Sequence, residues 1–356
     1  MLSFASIIDQ ERPVRILTTL LIKQTIPHAL LFTGIEGVGK KNAALTFAMA
    51  CNCKGSKPER PRPSSEDTPP GKGNEQQRVF EPCGVCRSCR KILSDLHPDI
   101  IHIRPSGPVI RIVQIRELID ILAMRPYEAK LRVVIISDAQ AMNPAASNAL
   151  LKMLEEPPDK TILILTALQT ADLLPTIVSR CQHIRFNPVS RKNIAQSLIA
   201  EKGAASEDAS IIAAMANGNL ERAIEMQQSG WIQQRNWLIA AGGLDRLETL
   251  SSRTPGILLA FAEHLAQNRE RATTSLGVMI TWLRDIVVCR HNPDKVINTD
   301  MIDKLRNLSR NISVKSLITK IDAIQNAQKK INSNSNLRLT LEVMMLQLTK
   351  DCGKGD

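Results

Sequence analysis

The residues with the types and spacing to do chemistry begin with the turn Gly34-Ile35-Glu36-Gly37-Val38-Gly39-Lys40-Lys41. Between a strand and a helix, this spacing makes a phosphate-binding loop. Backbone N–H groups and the helix N-terminus form an anion cradle, and the lysine, here Lys40, reaches the β and γ phosphates. The next position should be a Ser or Thr whose hydroxyl holds Mg²⁺, and Lys41 stands there. The metal's other protein ligand should be an Asp at the end of a neighbouring strand. The corresponding strand is Val133-Val134-Ile135-Ile136, followed by Ser137-Asp138. If the metal-binding Asp belongs directly after the strand, Ser137 occupies its place. Like charges ~4 Å apart repel by ~4 kcal/mol per unit charge near a protein surface, so Lys41 also disfavours a divalent ion. Gly34, Gly37, Gly39 and Lys40 therefore read as a cradle able to hold ATP or ADP without hydrolysing it.

Four cysteines form the second group. Cys83, Cys86 and Cys89 follow a C-x₂-C-x₂-C pattern, and Cys53 can close a four-thiolate tetrahedral zinc site, with Cys51 competing for the fourth position. Unrelated buried or redox thiols are the plainer alternative, and an iron–sulfur cluster has no supporting motif nearby. The 29 residues between Cys53 and Cys83 do not oppose closure. Lengthening a loop from ten to thirty residues costs only ~1 kcal/mol, against ~10–16 kcal/mol for a structural zinc. With four thiolates there is no open position for water, so the zinc is structural.

The third group is Leu174-Pro175-Thr176-Ile177-Val178-Ser179-Arg180-Cys181. By itself it is a turn with one surface arginine leading into a strand. At the rim of a nucleotide-binding domain, that arginine can enter a neighbour's site and stabilise developing phosphoryl charge.

The elements that must position these groups follow from the pattern of apolar residues. Short buried-strand runs occupy residues 29–33, 99–104, 132–137, 161–166 and 181–186. They alternate with helical stretches at 13–24, 43–53, 113–124 and 143–156, and with a helix running to about 96 after the cysteines. In 113–124, Ile115, Leu118, Ile119 and Leu122 share one face. Asn143-Pro144 starts the fourth stretch and Pro157-Pro158 stops it. Strands alternating with helices predict a doubly wound α/β domain over 1–187. Residues 54–82, rich in Pro, Gly, Ser and charge, read as a disordered insertion. Beyond 187 no strand pattern recurs: three short helices fit 188–229, and an all-helical region fits 230–350.

The 356 residues carry a net charge of +11, and aromatic residues make up only 3%. The charge is a weak pointer to nucleic acid, and the scarcity of aromatics argues against base stacking and against a β-sandwich. No apolar run reaches bilayer length, Asp9 and Glu11 break any signal-peptide pattern, and eight cysteines are too unevenly placed for a secreted disulfide scaffold. The expectation is a cytoplasmic, reduced protein with no membrane partner.

These features, in this order, resemble the AAA+ subunits of the bacterial DNA polymerase III clamp loader. Most specific are Asn148-Ala149-Leu150-Leu151-Lys152-Met153-Leu154-Glu155-Glu156-Pro157-Pro158 and Ser179-Arg180-Cys181. The resemblance implies an AAA+ α/β domain, a small helical lid and an all-α collar that joins a hetero-pentameric ring with motor (gamma/tau) and delta subunits. Through that ring it implies work on the sliding clamp and primed DNA. It also implies that Arg180 completes the ATP site of the adjacent motor subunit as an arginine finger. The departures at Lys41 and Ser137 favour the non-hydrolysing stator branch over the motor. So does Glu221, which stands where the motor lid carries a phosphate-sensing Arg, with Arg222 one residue off. An active motor ATPase and a stand-alone DNA-binding protein are the alternatives.

Overall fold

The computed structural model describes residues 2–55, 58–59, 79–247, 254–333 and 335–349. Its contacts divide the chain into two compact units, one of residues 1–193 with 217–221 and the other of 194–216 with 222–356.

The first unit is built on a five-stranded parallel sheet. In chain order its elements are α1 (Glu11–Lys23), β1 (Ala29–Thr33), α2 (Lys40–Asn52), β2 (Pro58–Glu59), β3 (Val79–Phe80), α3 (Arg87–Leu93) and β4 (Ile100–Ile103). There follow α4 (Ile112–Leu122), β5 (Arg132–Ile136), α5 (Pro144–Glu155), β6 (Thr161–Ala167), α6 (Pro175–Val178) and β7 (Gln182–Arg185). The sheet order is β4-β5-β6-β1-β7. β1 pairs in parallel with β6 on one side and β7 on the other, so its Ala-Leu-Leu-Phe-Thr run is buried along its whole length. Continuous apolar runs are what a strand covered on both faces requires. Leu30, Phe32, Val133, Ile135 and Ile164 face a layer containing Leu17, Phe47 and Met49. Leu31, Val134, Ile136, Leu163 and Leu165 face Ile115, Leu118, Leu150 and Ile177. Helices thus cover both faces, the doubly wound arrangement expected from the strand–helix alternation.

Three local readings need correction. The helix after the phosphate loop begins at Lys40, not 43, because Gly39 at φ 95° turns the chain directly into it. On α4, Ile115, Leu118 and Leu122 are buried, but Ile119 is 37% exposed and does not join the core face. Within 54–82, β2 and β3 pair as a two-residue antiparallel ladder, and the whole stretch between them, residues 60–78, lies outside the described residues.

Beyond β7 the described residues are helical: α7 (Arg191–Lys202), α8 (Ser206–Met215), α9 (Leu220–Gln228), α10 (Trp231–Ala241), α11 (Pro255–Ala266) and α12 (Arg269–His291) come first. Then come α13 (Ile302–Asn311), α14 (Val314–Asn332) and α15 (Leu337–Leu348). α12 is long and apolar enough by length and composition alone to pass for a bilayer span, although Arg284 and Asp285 interrupt its apolar run. Half of its apolar stretch is nevertheless buried inside the protein, as in a core helix. Trp282 lies fully buried and donates Nε1–H to the Leu244 carbonyl at 2.8 Å. Asp285, 0% exposed, accepts from the N–H groups of Ile297 (3.0 Å) and Asn298 (2.8 Å) and from the Asn298 amide (2.8 Å). Those three bonds meet Oδ2, and Arg284 Nη1 donates to Oδ1 at 2.8 Å, which is the pairing a buried carboxylate requires.

Candidate functional site: a phosphate loop, a cysteine cluster and a rim arginine

The phosphate loop leaves the carboxyl end of β1 between two neighbouring strands, the place where open α/β sheets bind ligands. Gly34 is pinned there by its N–H to the carbonyls of Ala167 (3.3 Å) and Leu168 (3.0 Å). A side chain at Gly34 is excluded, since a Cβ would lie 2.7 Å from the Phe186 carbonyl oxygen and φ is +149°. Gly37 is equally constrained: at φ +66°, its Cβ would meet the Asn219 side-chain oxygen at 1.7 Å. The Gly37 carbonyl accepts the Leu220 N–H at 3.2 Å.

Lys40, only 8% exposed, folds back over the loop and donates Nζ to the carbonyls of Gly34 (2.5 Å) and Ile35 (2.8 Å). Burial pushes its ammonium below the usual lysine range, opposed by the carboxylates of Asp138, Glu36 and Glu221. A phosphate entering the loop would replace two carbonyls and offset that desolvation with its negative charge. Lys41 is exposed in the first turn of α2.

β5 ends at Ile136, so Ser137 does stand directly after the strand. Its N–H is donated to the Ile103 carbonyl (2.9 Å), whereas its hydroxyl is buried without a hydrogen-bond partner among the described residues. Asp138 follows in a left-handed conformation (φ 54°), with its N–H donated to Thr166 Oγ1 at 3.1 Å. The sheet order inserts β6 between the phosphate-loop strand and this acidic turn.

The sulfurs of Cys53, Cys83, Cys86 and Cys89 all lie within 4.8 Å of one another. Four thiolates around a zinc at ~2.3 Å have sulfur–sulfur edges of ~3.8 Å, so these sulfurs are close to the size of a tetrahedral site. Cys53 and Cys86 are 4.0 Å apart, far beyond a disulfide, and all four are free thiols. Their sulfurs accept backbone N–H groups in series. Cys53 accepts from Cys83 (3.4 Å), Cys83 from Cys86 (3.4 Å) and Cys86 from Cys89 (3.5 Å). Such bonds stabilise thiolate. Against the opposing effect of burial, the N–H groups of Cys89 and Lys54 and the thiols of Cys89 and Cys83 bring Cys86 down to about 6. Burial instead pushes Cys89 up. The residues present fit a tetrahedral soft-metal ion.

Helix direction decides between Cys51 and Cys53. α2 ends at Asn52, which leaves Cys53 in extended conformation beside α3. Cys51, still inside the last turn, packs against the core, and burial pushes its thiol up to about 12.

Arg180 follows α6 at the edge of the same unit. Its Nη1 donates to the Thr176 carbonyl (3.1 Å) and its Nη2 to Glu155 Oε1 (2.8 Å). Glu155 lies in the Asn148–Pro158 run, whose local pattern assigns it no role. Nothing in local spacing joins residues 25 apart, and only the packing of α5 against α6 does so.

Residues 9–68 and 72–190 match the family described as DNA polymerase III, delta subunit, and residues 231–350 match the one described as DNA polymerase III, delta subunit, C terminal. This chain belongs to the DNA polymerase III delta subunit family. It is 28% identical to DNA polymerase III subunit delta' of Bacillus subtilis, covering 95% of this chain and 96% of that one. Identity to the tau subunit of the same organism is 26%, over 97% of this chain, which spans 61% of tau's length. Among solved structures, a gamma subunit-related protein of DNA polymerase III from Thermotoga maritima is 17% identical with a TM-score of 0.42, covering 94% of this chain and 98% of that one.

Proposed function

We propose that this chain is a delta-prime-type stator subunit of the DNA polymerase III clamp loader, which lends Arg180 to the ATP site of a neighbouring motor subunit and performs no hydrolysis itself. The observation that carries this reading is an intact phosphate cradle stripped of both metal ligands: Gly34, Gly37, Gly39 and Lys40 remain, while Lys41 and Ser137 stand where Mg²⁺ would be gripped. Phosphoryl transfer in loops of this kind depends on the bound Mg²⁺ to neutralise charge developing on the transferred phosphate. Family membership supports the setting in DNA replication.

The four cysteines hold a structural zinc that fastens α3 to the end of α2. The chain has three functional parts: an AAA+ domain over 1–187, a lid over 188–229 and a collar over 230–350. The collar joins motor (gamma/tau) and delta subunits in a cytoplasmic hetero-pentameric ring acting on the sliding clamp and primed DNA. The preserved glycines and Lys40 favour retention of ATP or ADP as a bound, unreacted ligand.

The test is Arg180→Ala. The variant should fold and assemble normally, yet lower ATP turnover of the reconstituted complex by ~10³-fold or more at the affected site. An unchanged rate removes the finger assignment. Purified wild-type chain alone should show no DNA-stimulated hydrolysis, and turnover abolished by Lys40→Ala would establish a motor instead.

A further inference from the structure

We infer that Glu155 is a positioning residue for Arg180, holding the guanidinium in a fixed orientation on the rim before any neighbour arrives. The inference rests on the proposed role of Arg180 in trans. Glu155 is the last residue of α5 and Arg180 lies just past α6, so the pair joins the ends of two packed helices. The contact is short, 2.8 Å from Nη2 to Oε1, and a second anchor is supplied by the Thr176 carbonyl at 3.1 Å from Nη1. The two anchors approach different nitrogens of one planar group, so they fix its rotation as well as its position. These anchors use two of the five guanidinium N–H groups, and the remaining donors of the fork can meet phosphoryl oxygen.

The side chains of Arg180 and Glu155 are 36% and 52% exposed. An ion pair that open to water contributes little to stability, because screening and side-chain entropy offset the attraction. Its value here is geometric. Arginine carries a long, flexible stem, and an interaction made only in the transition state is strongest when that stem is ordered beforehand. Glu155 also sits beside the Pro157-Pro158 stop, so the backbone carrying the carboxylate cannot wind further into helix.

The experiment uses the complete clamp-loader complex reconstituted with Glu155→Ala, Glu155→Gln, Arg180→Ala and the Glu155→Ala/Arg180→Ala double variant. Steady-state ATPase is measured over a range of ATP, with assembly checked by size-exclusion chromatography. Glu155→Ala should lower kcat about tenfold at unchanged KM, and Glu155→Gln, which keeps an oxygen acceptor, should recover most of the rate. The double variant should match Arg180→Ala, because Glu155 acts only through that side chain. An unchanged or raised kcat in Glu155→Ala, with Arg180→Ala still impaired, overturns the positioning role alone. A full further loss in the double variant overturns it too. An unimpaired Arg180→Ala overturns both this inference and the finger reading beneath it.

Discussion

On the proposed zinc site, replacing Cys86 with serine should abolish metal binding and loosen α3. α3 has seven residues, well short of the ~12–15 at which isolated helices become even marginal, so its place depends on what ties it down. Its apolar anchors are Ile92 and the buried Cys89, and the Cys86 sulfur accepts an N–H of its first turn. A metal present at ~1,000 times its dissociation constant stabilises the folded state by ~4 kcal/mol. For a domain of this size each kcal/mol moves Tm by about 2–4 °C, so a fall of about 8–16 °C is expected. The assay is thermal unfolding of wild type, Cys86→Ser and Cys51→Ser, each with and without EDTA, alongside metal analysis of the purified proteins. Wild type and Cys51→Ser should contain one zinc per chain and lose stability with chelator, whereas Cys86→Ser should contain little zinc and ignore EDTA. A metal-free wild type as stable as Cys86→Ser refutes the argument, and loss of zinc from Cys51→Ser refutes the choice of Cys53.

Lys41→Thr combined with Ser137→Asp should create Mg²⁺-dependent ATP affinity, at least ~10-fold tighter with Mg²⁺ than with EDTA, because a repulsion of several kcal/mol is replaced by two oxygen ligands. Titration calorimetry reads this directly, and affinity indifferent to Mg²⁺ counts against the metal-loss argument. Asp99 accepts the N–H groups of Tyr127, Glu128 and Ala129, all at 2.8 Å. Burial would raise its pKa, but those three bonds and Arg132 hold it below the usual carboxylate value. Its contribution is therefore present above the unfolded pKa near 3.9 and is lost as pH falls through the lower folded value. Asp99→Asn should cost ~2–3 kcal/mol at neutral pH by urea unfolding, and the gap from wild type should close below about pH 4. Asp285→Ala, which strips the N–H groups of Ile297 and Asn298 of their shared acceptor, should cost ~3 kcal/mol or more in the same assay.

The sequence was most informative where one physical demand governed a whole segment. β1, β5 and β6 are buried on both faces, so each shows as an unbroken apolar run. The start of α5 was legible because Asn143 caps it, accepting the Ala146 N–H at 2.8 Å, with proline in a tolerated early position. The cysteine spacing survived because N–H-to-sulfur bonds between residues three apart are local. Lys40-Lys41-Asn42 carries no apolar period, and only the backbone of Gly39 reveals that the helix has already begun. Apart from the cysteines, whose residue type announces itself, contacts across long separations left no signal. The Glu81 carboxylate accepts the N–H groups of Phe4 (2.9 Å) and Ala5 (3.0 Å), more than seventy residues away. The Glu155–Arg180 pair is of the same kind, because it depends on where two helices end in space.

The β2–β3 ladder ties Pro58–Glu59 to Val79–Phe80, and just outside it the sulfur of Cys53 meets those of Cys83, Cys86 and Cys89. Two successive closures hold the chain ends at Glu59 and Val79 side by side, and the entropy of such a closure grows only slowly with the length of chain between them.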